Sequence, residues 1–210
     1  MKKIDTIYCD FDGTITKRDS VNGFFEMYAP NWMESEKLWI EGKISSRENA
    51  IIQVGLLKNV SQEQLGDYIN SIEIDDYFLD FVDYVKSRNI KLTILSDGFD
   101  FFIKKVLERY NLDIPYYANK LIYENGKFNI EFPYYNEKCD KKAGMCKCEK
   151  VKEKSFCYIG DGTSDLCIAK KADILFASKN LHEYCEKKLI KHYYFETFSN
   201  IVEKLDEVIL

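Results

Sequence analysis

Ile4-Asp5-Thr6-Ile7-Tyr8-Cys9-Asp10-Phe11-Asp12-Gly13-Thr14 is the stretch on which the fold turns. A short apolar run, Ile4 to Cys9, ends in two carboxylates one residue apart and an Asp-Gly turn. Such runs, closed by small polar residues, read as buried strands. Three more follow. Lys91 to Leu95 leads into Ser96-Asp97-Gly98, Ser155 to Ile159 into Gly160-Asp161-Gly162, and Asp173 to Ala177 into Ser178. Helical patterns separate them at about 76–88, 99–110, 147–154, 163–171 and 180–189. Strands alternating with helices imply crossover units and an α/β fold with a Rossmann-like parallel sheet. Ligands of open parallel sheets bind beyond the carboxyl ends of the strands. The three Asp-containing turns therefore converge on one crevice.

Two inserts interrupt this core. Residues 17–73 read as four helices: Ser20–Ala29, Glu34–Glu41, Ser45–Leu57 and Ser61–Ser71. Ser45 with Glu48 forms a capping box, and Ser61 is a second N-cap. This segment is expected to be a helical cap over the crevice, gating it. The core is then residues 1–16 and 74–210. A small β-hairpin insert is expected at about 116–138, where Asn125-Gly126 separates two strand-like, aromatic-rich runs.

The chain has 210 residues, 30 basic and 35 acidic, for a net charge of −5. No basic excess is available to neutralise a nucleic-acid backbone, so that partner is excluded. No apolar run approaches the length of a membrane span. The start MKKIDTIYCD is not a signal-peptide core, and cytoplasmic residence is expected. Seven cysteines, an odd number, favour reduced thiols. Cys9, Cys157, Cys167 and Cys185 read as small buried hydrophobes. Cys139, Cys146 and Cys148 fall close together and leave three readings open: free thiols, a reversible disulfide or zinc. His182 and His192 read as surface or packing residues.

The chemistry lies in the turns. Asp10 and Asp12 suit phosphoryl transfer: one carboxylate attacks phosphorus, and the other protonates the leaving oxygen and then activates water. Two such carboxylates repel unless a cation sits between them, and Mg²⁺ takes oxygen ligands. Gly13 and Thr14 are expected to turn backbone N–H groups toward a phosphate oxygen. Asp161 is a candidate metal ligand, and Asp165 a candidate support for it. Ser96, Asp97 and Gly98, at the start of the 99–110 helix, form a candidate anion site. A transferring phosphate also needs a positive side chain, and Lys147 and Lys150 are the candidates.

The order Asp10-Phe11-Asp12-Gly13-Thr14, then Ser96, then Lys147, then Gly160-Asp161-Gly162-Thr163-Ser164-Asp165 resembles the haloacid dehalogenase superfamily of phosphatases. The helical cap and the hairpin resemble its phosphoserine phosphatase branch. The resemblance implies Asp10 as nucleophile and Asp12 as general acid and base. It implies Mg²⁺ held by Asp10, the Asp12 backbone carbonyl and Asp161, with Asp165 in support. Ser96 and Lys147 then bind phosphate. Within the branch, Asp10 to Thr16, Ala29-Pro30-Asn31-Trp32-Met33, Gly55-Leu56-Leu57, Asp100-Phe101-Phe102 and Gly144-Met145-Cys146-Lys147 are similar to methionine-salvage phosphatases. Phosphoserine phosphatases use a cap acid on the substrate ammonium and an arginine on its carboxylate. Asp19 matches the acid, but Gln53 stands in the arginine's place. An amide does not replace a bidentate guanidinium. A small phosphorylated metabolite is the expected substrate, with amino-acid or amino-alcohol phosphate as the alternative. Asp19, Phe24, Phe25, Trp32 and Gln53 are the cap residues expected to face it. A phosphomutase, or a catalytically silent binding module, is the reading from another class. The expected state is monomer or homodimer.

Overall fold

The computed structural model describes residues 4–139 and 142–208. The remaining parts of the expected core, residues 1–3, 140–141 and 209–210, lie outside that description. Seven strands form one sheet in the order β4-β3-β2-β1-β5-β6-β7. They are β1 (Thr6–Cys9), β2 (Lys91–Phe99), β3 (Tyr116–Glu124), β4 (Lys127–Glu131), β5 (Cys157–Gly160), β6 (Ile174–Ala177) and β7 (Tyr193–Tyr194). All neighbours run parallel except β3 and β4, which are antiparallel. Every residue of β1, β5 and β6 is buried. Continuous burial is what a strand covered on both faces requires, and it explains why these runs do not alternate. β1 lies between β2 and β5, so chain direction across the sheet reverses there and opens a crevice at its carboxyl end.

Between β1 and β2 come α1 (Ser20–Tyr28), α2 (Trp32–Ile40), α3 (Ser46–Leu56), α4 (Gln62–Ser71) and α5 (Phe78–Ser87). Ser45 and Ser61 cap α3 and α4, each within a complete capping box with Glu48 and Gln64. Thr16 bridges Ile74, Lys17 N–H donates to Glu73 and Asp75 N–H donates to Ile15, so departing and returning chains are clipped side by side. Phe24 of α1 is fully buried against Tyr68 of α4, Phe102 of α6 (Asp100–Arg109) and Phe128 of β4. One apolar cluster thus runs from α1 and α4 into the sheet.

Four departures from the sequence reading have local causes. Ser96-Asp97-Gly98 is not a turn: β2 continues through it to Phe99, with a register shift against β3 between Leu95 and Phe99. Asn119 of β3 holds it there by donating to the Asp97 carbonyl and carboxylate. The expected 147–154 helix is one turn, α7 (Lys147–Lys150), and the 163–171 helix is a 3₁₀ turn (Thr163–Asp165) followed by α8 (Leu166–Ala169). The hairpin is not a separate insert. Its first arm, β3, is also a parallel neighbour of β2, and Asn125 and Gly126 turn it with φ of 51° and 77°. Beyond α9 (Lys179–Lys188), β7 and α10 (Phe198–Val208) complete the sheet edge and pack on α5 through Phe78, Phe81 and Phe198.

The seven cysteines are free thiols. Cys146 is hydrogen-bonded to Cys139 and Cys148 to Cys167, so Cys167 belongs with that group rather than with the buried hydrophobes. His182 and His192 lie side by side with tilted rings, Nδ1 of the first 2.7 Å from Nε2 of the second.

Candidate active site

β1 delivers Asp10 to the crevice, and Gly13 folds the chain back at φ 74°. Its glycine is required on a second count: a Cβ there would lie 2.5 Å from Asp161 Oδ2. Asp10 is buried, and its Oδ1 accepts from Phe11 N–H at 2.8 Å and from Lys147 Nζ at 2.9 Å. Oδ2 has no donor among the described residues. Burial pushes the Asp10 carboxyl well up, and the charges of Asp165 and Asp161 add to this against the opposing Lys147.

Asp12 Oδ1 accepts from Ser20 N–H and Oγ, and its Oδ2 from Ser96 Oγ at 3.1 Å. Burial raises its pKa despite these donors, which favours a carboxyl that carries a proton. Gly98 approaches so closely that a Cβ would lie 2.1 Å from Asp12 Oδ2. Ser96 is buried; its Oγ accepts from Gly98 N–H at 2.9 Å while donating to Asp12. It lies inside β2 rather than at a helix start. The Asp97 carboxylate is turned away from Asp12, accepting from Met145 N–H at 2.8 Å and from Asn119. The expectation for Gly13 and Thr14 does not hold: their N–H groups donate to Thr16 Oγ1 and the Phe11 carbonyl.

β5 delivers Asp161 opposite. Its Oδ1 accepts from Thr14 Oγ1 at 3.1 Å and its Oδ2 from Lys179 Nζ at 3.1 Å. Burial and the Asp165 charge raise its pKa. Asp165 is fully buried and saturated: Lys147 Nζ at 2.5 Å, the Tyr158 hydroxyl, and the N–H groups of Asp161 and Gly162 at 3.1 and 3.0 Å. Lys147 is itself 2 % exposed, and the two carboxylates beside it push its pKa up against desolvation. Lys150, the other candidate, sits instead over the rings of Tyr134 and Tyr117.

Carboxylate oxygens of Asp10, Asp161 and Asp165 lie within 4.8 Å of one another. An all-oxygen donor set, with Asp10 and Asp161 crowded by burial and like charge, fits a hard divalent cation such as Mg²⁺. With Asp165 spent on four donors, Asp10 and Asp161 are the two carboxylates with capacity left to hold one.

The crevice continues into a cavity of about 370 Å³ lined by Asp10, Asp12, Ser96, Asp161 and, from the α1–α3 side, Asp19, Phe25, Glu36, Trp39, Asn49 and Gln53. Asp19 caps α1 by accepting from Val21 and Asn22 N–H. Its carboxyl is solvent-accessible yet recessed among Asp12 and Asp161, and desolvation first, then the Asp12 charge, raises it to about 7. Gln53 lines the cavity as expected, and so does Phe25. Phe24 and Trp32 are packing residues instead. Sequence reasoning missed Lys179, Tyr158, Ser20, Glu36 and Asn49. Lys179 was within reach of the strand-end rule, being two residues past β6.

Residues 7–170 match the family model for haloacid dehalogenase-like hydrolases. The chain belongs to that family, and it is a phosphatase. It is 31% identical to the 2-hydroxy-3-keto-5-methylthiopentenyl-1-phosphate phosphatase of Brevibacillus brevis, across 99% of this chain and 98% of that one. To the enzyme of the same name from Bacillus velezensis it is 30% identical, across 99% and 94%. Among solved structures it is similar to a phospho-aspartyl intermediate analogue of phosphoserine phosphatase, with TM-score 0.71, 21% identity and full coverage of both chains. A haloacid dehalogenase-family hydrolase of Salmonella enterica superposes with TM-score 0.75 at 19% identity, covering 95% of this chain and 70% of that one. These two likenesses carry the fold.

Proposed function

We propose that this phosphatase is a Mg²⁺-dependent phosphomonoester hydrolase working through an aspartyl-phosphate at Asp10. Its substrate is a small phosphorylated metabolite, and 2-hydroxy-3-keto-5-methylthiopentenyl-1-phosphate is the candidate that the relatives' names supply. The observation that carries the mechanism is the division of labour at Asp10. Lys147 and Phe11 N–H hold Oδ1, and Oδ2 faces the crevice without a donor.

Oδ2 attacks phosphorus and the ester P–O bond breaks. Asp12 gives its proton to the departing alcohol oxygen. The resulting Asp12 carboxylate then takes a proton from water, whose oxygen attacks phosphorus. The bond to Asp10 breaks, and inorganic phosphate leaves. Ester plus water has become alcohol plus phosphate. Ser96 Oγ and Lys147 Nζ lie beside Asp12 and Asp10 and hold phosphoryl oxygens in this reading. Asp10, the Asp12 carbonyl and Asp161 would hold Mg²⁺, with Asp165 fixing the Asp161 loop. When bound, Mg²⁺ supplies the positive charge that lets an anionic phosphoryl group approach these carboxylates.

Residues 17–73 act as the cap that screens the bound ester from water. Reduced thiols and a metabolite substrate agree with the cytoplasm. No helix of the described residues is long and apolar enough to cross a membrane. The test is release of phosphate from the methylthiopentenyl ester and from an aryl phosphate with Mg²⁺ present. Asp10→Asn should abolish both, and unchanged turnover would overturn the mechanism.

A further inference from the structure

We infer that Glu36, held by Asn49 and Gln53, is the specificity-determining group of the cavity and selects phosphate esters that carry a hydrogen-bond donor beyond the phosphate and no carboxylate. The inference rests on the hydrolase reading above and names the substrate class of that same site.

Glu36 lies in α2 and is 8 % exposed, an uncommon place for a carboxylate. Asn49 Nδ2 donates to its Oε2 at 2.8 Å and Gln53 Nε2 donates to the same oxygen at 3.0 Å. Both amides come from α3, one helical turn apart, so they are aimed together. Oε1 of Glu36 is left with no donor among the described residues. Asn49 is 6 % exposed, and its Oδ1 is buried without a hydrogen-bond partner. A buried acceptor left open costs about 1–3 kcal/mol. That buried acceptor and the open Oε1 of Glu36, on the wall of one cavity, are matched by a ligand that donates to them.

The charge of the cavity wall narrows the class. Its lining includes Asp10, Asp12, Asp19, Glu36, Asp97 and Asp161 but no Lys, Arg or His. Lys147 is at the phosphate end, spent on Asp10 and Asp165. A carboxylate on the substrate would face these carboxylates with no cationic side chain on that wall to pair with. A hydroxyl or an ammonium would meet partners. Phe25 and Trp39, on the same wall, leave room for a carbon skeleton between the two ends.

The experiment is calorimetric binding to Asp10→Asn protein with Mg²⁺, which needs no turnover. The probes are glycerol phosphate, ethanolamine phosphate and 3-phosphoglycerate, which share the phosphate and differ at the far end. Glycerol phosphate and ethanolamine phosphate should bind at least tenfold more tightly than 3-phosphoglycerate. Adding Glu36→Leu should bring that ratio to within threefold. Glu36→Gln, which keeps shape and an acceptor oxygen, should keep the preference for the hydroxyl and lose at least fivefold for the ammonium. It decides the matter should the Leu variant not fold. Equal binding of 3-phosphoglycerate before any change at Glu36, or a ratio that neither variant moves, would overturn the inference. An Asp10→Asn protein that still turns over esters would instead sink the hydrolase mechanism and leave these binding ratios standing.

Discussion

Replacing Lys147 by Met tests the electrostatic core of the site, because the side chains match in volume and differ in charge. Lys147 Nζ stands 2.9 Å from Asp10 Oδ1 and 2.5 Å from Asp165 Oδ1, and the side chain is buried. Taking one partner from a buried ion pair costs about 3–5 kcal/mol. Proton uptake sets a ceiling on that cost. Protonating a carboxyl of ordinary pKa near 4 at pH 7 takes about three units at about 1.4 kcal/mol each, or about 4 kcal/mol. Asp165 keeps three other donors. Asp10 keeps only Phe11 N–H, so Asp10 takes the proton. The Asp10 carboxyl is already raised with Lys147 present, so part of this cost is borne by the unmodified protein. The difference should therefore be about 3 kcal/mol at pH 7. Its pH dependence has a definite sign. A carboxyl whose folded pKa is raised lowers stability as pH climbs from its unfolded toward its folded pKa. Lys147→Met extends that window upward. The gap between the two proteins should widen with pH, by about 1.4 kcal/mol per unit at most, once Asp10 of the unmodified protein has ionised. Urea unfolding at pH 5, 6 and 7 with chelator present measures it. A gap that is absent, or that narrows as pH rises, would refute the claim that Lys147 is the cation on which Asp10 depends.

Two further outcomes follow from the same coordinates. Magnesium at a hundred times its dissociation constant should add about 2.7 kcal/mol of stability. That is about 5–10 °C in melting temperature for a chain of this size, and Asp161→Asn should remove most of the shift. Phe24→Ala should cost about 3–5 kcal/mol in urea unfolding while leaving one cooperative transition, because Phe24 ties α1 and α4 to α6 and β4; two separated transitions would contradict a shared core.

What was legible in the sequence was whatever local chemistry encodes. Buried strands announce themselves by unbroken apolar runs, and Ser45 with Glu48 or Asn125-Gly126 fix a helix start and a turn by themselves. The strand-end rule then placed Asp10, Ser96 and Asp161 around one crevice. What escaped depends on contacts far along the chain. Ser96-Asp97-Gly98 reads as a turn until Asn119, twenty-two residues later than Asp97, holds it extended. The short α7 and the 3₁₀ start at Thr163 follow from the Lys147–Asp165 and Asp165–Gly162 contacts, which no helical period reveals. β7 and α10 lack a motif of their own and are defined by the edge they cover. Glu36 was hidden for a related reason: a polar residue on an amphipathic helix defaults to the solvent side, and only Asn49 and Gln53 from the next helix make a buried position tenable.

The division of roles among the site's aspartates follows from a count of donors rather than from position in a motif. Asp165 receives four hydrogen bonds and Asp12 three, and both have neighbours that fix the plane of the carboxyl. A carboxylate saturated in this way is a poor nucleophile and a poor ligand, but it is a rigid support. Asp12 differs from Asp165 in having no cation of its own within hydrogen-bond reach, so burial raises its pKa and readies it to hold a proton. Asp10 and Asp161 each keep unspent lone pairs, at the ends of the two strands that flank the crevice. In the mechanism proposed above, their unspent charge would attract a divalent cation, and the bare Oδ2 of Asp10 would remain to attack once that charge is offset. A site with the same four aspartates but with Oδ2 of Asp10 also capped by a backbone N–H would bind phosphate and do nothing further with it.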